Sequence, residues 1–145
     1  MLQKLTREIN FFRSHQLGMR TLLLTNLIYA LVMPIVELFV GAYIMRNSED
    51  ISLVVIFQLA VYTGIPLTFM INGLLLKHFP IARLYSLGML LSGVSMFAMM
   101  SLDDLNTLGV FFAGLIMGLS YGFFWANRDF LALNTTNDGN RNYYY

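Results

Sequence analysis

Residues Thr21–Met45 read TLLLTNLIYALVMPIVELFVGAYIM, with Glu37 their one formal charge. The run is about 25 residues long, and about 20 apolar helical residues suffice to cross a hydrocarbon core of about 30 Å. Three more blocks of the same character follow at 51–76, 84–100 and 107–127. Of the 145 residues, 57% are hydrophobic and 12% charged, and the mean hydropathy is +0.64. That is too apolar for an ordinary soluble domain of this size. The pattern predicts an all-α membrane protein with four antiparallel transmembrane helices within residues 20–131. A segment at 1–19 precedes them and a tail at 132–145 follows.

The first apolar run has no small-residue cleavage site after it, so it reads as an uncleaved span. Before it, Leu2, Leu5, Ile9 and Phe12 recur at helical spacing beside Lys4, Arg7 and Arg13, the pattern of an amphipathic helix at a membrane interface. The joints Arg46–Asp50, Lys77–Arg83 and Ser101–Asn106 are about five to seven residues each, which makes successive helices antiparallel neighbours. Lys4, Arg7, Arg13, Arg20, Lys77, Arg83, Arg128 and Arg141 gather on one side of the predicted membrane, against Arg46 on the other. Basic residues stay on the cytoplasmic side during insertion, so both termini are expected there, in a bacterial inner membrane. The tail Asn134–Tyr145 is polar, rich in turn formers and without helical period, and reads as a cytoplasmic loop.

The net charge of +1 gives no basic surface for nucleic acid. With no cysteine and with histidines only at His15 and His78, the chain has neither thiol chemistry nor a metal cluster, and no cofactor is expected. No phosphate loop or Ser/His/Asp arrangement appears, so the chain is not read as an enzyme. The expected surroundings are the lipid bilayer and a small-molecule substrate.

Glu37 is the sharpest chemical signal. It lies about two-thirds of the way along span one, where a carboxylate costs several kcal/mol against lipid and belongs in a cavity or against a partner. Such a group suits a proton carrier or a site for a cationic substrate; the competing reading is a hydrogen-bonded packing residue. Asn26, Tyr29, Met33 and Glu37 form one stripe of that helix, with Pro34 inside it. On span two Gln58, Tyr62, Ile65, Phe69 and Asn72 share a face with Pro66, and its amides serve either a substrate or a neighbouring helix. On span four Tyr121, Trp125 and Arg128 line one face at the predicted cytoplasmic end, where Arg128 either snorkels to the interface or binds an anion inward. Gly114, Gly118 and Gly122 recur every fourth residue, a stripe for close helix packing, with Gly88 and Ser92 of span three as the expected partner.

The four spans, the basic joint after span two and the segment Tyr121–Tyr145 together resemble the amino-terminal part of bacterial transporters of the major facilitator superfamily (MFS). That family's joint between spans two and three has the pattern G-x-x-x-D-R-x-G-R-R. Gly73 matches it here, while Lys77 stands for the acid, His78 for an arginine and Pro80 for the second glycine, with Arg83 one place late. The resemblance implies a partial MFS amino-terminal half, four of twelve helices, in a secondary transporter that works by alternating access. It further implies that Glu37, Asn26, Gln58, Asn72 and Trp125 line part of a central path, that Gly73, Lys77, His78 and Arg83 belong to a cytoplasmic gate loop, and that the carboxy-terminal helices are missing partners.

Two other plans fit four helices. One is a dimeric exporter similar to the small multidrug resistance proteins, which also carry a glutamate in their first span. The other is a structural or assembly subunit docked through the glycine stripe of span four.

Overall fold

The computed structural model describes residues 17–135, which form four helices: α1 Leu17–Ser48, α2 Ile51–Leu75, α3 Ile81–Met100 and α4 Thr107–Thr135. Each contains a window long and apolar enough to cross a membrane. The amphipathic pattern of residues 2–13 lies outside the described residues, as does the tail beyond Thr135.

The first two joints are shorter than the sequence implies, while the third spans the expected Ser101–Asn106. After α1, Glu49 adopts a positive φ of 54° and its N–H donates to the Met45 carbonyl, 3.0 Å away. Asp50 then caps α2 by accepting from the Ser52 N–H at 2.8 Å. Pro80 opens α3 in extended backbone conformation, and Asn106 opens α4 by accepting from the Gly109 N–H at 2.7 Å. Span three therefore begins at Ile81 rather than residue 84. Span four runs on past residue 127, so residues 132–135, expected to start the tail, form its last turn.

α4 is the hub. In its apolar window 56% of residues are buried inside the bundle, against 17% for α1. Gly114 faces Phe57, Gly118 faces Val61 and Gly64, and Gly122 faces Ile65 and Thr68, so α2 and α4 run parallel in close backbone contact. A Cβ built at Gly114 would lie 2.6 Å from the Phe57 carbonyl oxygen, and one at Gly64 would lie 2.8 Å from that of Leu115. The partner of the glycine stripe is thus α2, not α3 as expected.

α3 packs antiparallel on a different side of α4. There Gly88 meets the backbone at Ser120 and Phe124, and Ser95 donates to the Ala113 carbonyl at 2.7 Å. The expectation that successive helices are neighbours fails for α2 and α3, because each uses its small and hydroxyl residues on α4. α1 is held more lightly, with Tyr29 stacked on Phe124 (centroids 3.6 Å, planes 18° apart) and the Tyr85 hydroxyl 2.9 Å from that of Thr25.

Gly118→Ala is expected to lower stability in detergent by about 1–3 kcal/mol, because its Cβ would strike the Val61 carbonyl of α2. Gly93, where a Cβ meets nothing within 4 Å, is the control: Gly93→Ala should be neutral or up to about 1 kcal/mol more stable, from helix propensity alone. Denaturant titration followed by circular dichroism measures both.

Candidate functional site

α1, α2 and α4 enclose a cavity of about 350 Å³ that is open on one side, with Tyr29, Met33, Glu37, Tyr62, Tyr121 and Trp125 among its lining residues. Three members of the α1 stripe therefore meet there: Tyr29, Met33 and Glu37, each one turn from the next. The Tyr121 hydroxyl donates to Glu37 Oε1 at 2.8 Å. Among the described residues Oε1 is the one carboxylate oxygen so engaged, and the Glu37 side chain is otherwise exposed at the cavity mouth. Tyr29 is fixed at the back. Its hydroxyl lies 3.3 Å from Ser120 Oγ, which donates onward to the Gly88 carbonyl at 2.7 Å, so Tyr29 is the donor of the pair.

Both helix-interior prolines bear on this cavity. Proline has no N–H, so Pro34 and Pro66 withhold the helical donor from the carbonyls four residues earlier, those of Ala30 and Tyr62. Ala30 and Tyr62 both line the cavity.

The sequence puts Tyr121 at the cytoplasmic end of a helix expected to stop near residue 127. With α4 continuing to Thr135, Tyr121 lies in the middle of the helix, level with Glu37. Arg128 is likewise no terminal residue. About ten ångströms of helix follow it at about 1.5 Å per residue. Its guanidinium pairs with Asp129 at 2.6 Å and lies 4.2 Å from the centre of the Trp125 ring. Arg128 thus sits behind a wall residue and is not itself in the wall.

The amides go elsewhere. Asn72 is buried between α2 and α4, where its Oδ1 accepts from Asn127 Nδ2 at 2.9 Å, and the same nitrogen donates to the Phe123 carbonyl at 2.8 Å. Asn72 is therefore an interhelical clamp and not part of the cavity wall. Asn26 is half-buried one turn from Tyr29, and its buried Oδ1 has no partner among the described residues. Gln58 is half-buried one turn from Tyr62; neither amide lines the cavity.

The candidate gate loop is exposed. Lys77, His78 and Arg83 make no side-chain hydrogen bond or ion pair among the described residues, and a Cβ at Gly73 would meet nothing within 4 Å. A second cleft of about 390 Å³ between α1 and α3, next to the Thr25–Tyr85 pair, has no charged residue in its lining. Among the described residues no group of acids and histidines could hold a metal ion.

A double-mutant cycle on Asn72→Ala and Asn127→Ala should give a coupling energy of about 0.6 kcal/mol and no more than about 1.7 kcal/mol, the average and maximum for hydrogen bonds between membrane helices. Neither substitution should alter the accessibility of the cavity, because neither residue lines it.

No known family's sequence profile matches the chain, and no solved structure matches it. A protein of Geobacillus stearothermophilus, described as "Uncharacterized protein in sodM 3'region", is 27% identical over 116 residues, covering 80% of this chain and 54% of that protein. The chain spans about half the length of the curated relative it matches.

Proposed function

We propose that this chain is the amino-terminal part of a secondary transporter of MFS type, which moves a small solute across a bacterial inner membrane by alternating access. The observation that carries the reading is the Glu37–Tyr121 pair in a cavity open on one side. A carboxylate at this depth of an apolar helix is costly unless it faces water, a partner or a substrate. Here it faces a space large enough for a small molecule. An MFS substrate path lies between two halves, and a one-sided cavity is what one half alone would present.

In this reading α1 to α4 span the bilayer with both termini cytoplasmic, on the strength of the Lys and Arg distribution. Glu37 takes up a proton or contacts the solute, and Tyr121 orients it. The prolines of α1 and α2 give the two helices a place to bend as access alternates.

The absence of cysteine makes the test direct. Cysteine placed at Ala30, in the cavity wall, is expected to react with a membrane-impermeant maleimide in oriented membrane vesicles. Cysteine at Phe97, 75% exposed on α3 and facing lipid in this reading, is expected to resist it. Equal resistance at both positions would mean that no aqueous path reaches Glu37, and the transporter reading would give way to a structural subunit.

A further inference from the structure

We propose that the cleft where the last turns of α1 and α3 meet binds a soft monovalent metal ion, copper(I), through the thioethers of Met96, Met99 and Met100. The inference goes beyond the transport reading above and does not depend on it. The cleft holds about 170 Å³ and is lined by Phe39, Val40 and Tyr43 of α1 and by those three methionines of α3. Met99 and Met100 follow Met96 by three and four residues, so all three share the face of α3 that is turned toward α1. Met99 is buried, Met96 is half-buried and Met100, the last residue of α3, is 69% exposed. The set thus runs from the core to the surface and gives an ion a way in. The two larger clefts hold one methionine each, Met33 and Met89.

The ligand chemistry selects the ion. A thioether is neutral and polarisable, and it prefers a soft metal such as copper(I). The Tyr43 hydroxyl is the one polar side-chain group in the lining, so hard divalent ions, which need a shell of oxygens, find no site there. The rings of Phe39 and Tyr43, opposite the methionines, add cation–π attraction for a single positive charge. α1 ends at Ser48 and α3 at Met100, which puts the cleft beside the joints that carry Glu49, Asp50, Asp103 and Asp104. These four carboxylates are exposed and outnumber Arg46, so the field at this end draws cations toward the cleft. The chain has no cysteine to compete, and among the described residues the one histidine, His78, lies before the start of α3, at its far end. Leucine would fill the same space as methionine without offering a ligand, and that difference supplies the test.

Silver(I), which has the same filled d shell and does not change oxidation state on binding, is the probe. With the full chain in detergent micelles, a chloride-free buffer and isotope-labelled methionine methyl groups, a silver(I) titration followed by nuclear magnetic resonance is expected to shift the signals of Met96, Met99 and Met100 together. The shifts should saturate at one ion per chain, leave Met33 and Met89 in place, and be absent with zinc(II). Combining Met96→Leu, Met99→Leu and Met100→Leu, which conserves volume, should weaken silver binding by at least about tenfold. Met33→Leu with Met89→Leu should leave it unchanged, and circular dichroism confirms that both variants remain helical. Unchanged affinity in the combined variant, or shifts spread over every exposed methionine, would overturn the inference by reducing the signal to adventitious contact with sulfur. Equal shifts with zinc(II) would overturn it too. Should the combined variant lose its helices, Met96→Leu and Met100→Leu are read singly: weakened binding in either supports the site, and unchanged binding in both overturns it.

Discussion

The approach of α2 to α4 over Gly64, Gly114, Gly118 and Gly122 is the contact on which the rest of this bundle depends. For spans set in lipid, apolar side chains gain little by leaving it for another helix, so dispersion between closely fitted backbones would supply the association. At four positions without side chains the two helices approach so closely that an added Cβ would clash with the facing helix. Thr68 and the Asn72–Asn127 pair then extend the seam with hydrogen bonds. Thr68 Oγ1 donates to the Gly64 carbonyl at 2.9 Å within its own helix and also lies 3.3 Å from the Leu119 carbonyl of α4.

This seam also creates the site. With α2 close against one side of α4 and α3 on another, α1 has no comparably smooth surface to lie on. It touches α4 through large side chains, Tyr29 on Phe124 and Glu37 on Tyr121. Those side chains hold α1 off at a distance and leave the cavity between them. The tightest and the loosest packing in the fold are thus complementary: small residues close one interface, and rings prop the other open.

How much of this was legible in the sequence follows from the same physics. Four apolar runs announced four helices, because only length and hydropathy are needed for that. The α1 stripe of Tyr29, Met33 and Glu37 was legible from helical period, and so was Tyr62 on α2. The length of α4 was not. Asn127, Arg128 and Asp129 look like the end of an apolar run, yet Asn127 spends its amide on Asn72 and Phe123, and Arg128 neutralises Asp129, so the helix continues. Period also could not say whether Asn72 faced a cavity or a helix, or which helix would receive the glycines, since both depend on a partner surface distant in the chain.

The central place of α4 bears on how the protein is made. If the four candidate spans enter a membrane in the order of translation, α2 and α3 reach the bilayer before the surface on which each of them packs. Until α4 arrives, the glycine face of α2 and the Ser95 hydroxyl of α3 have no native partner. In that case α2 and α3 would remain unpacked on each other until the fourth helix gathered them in one late step.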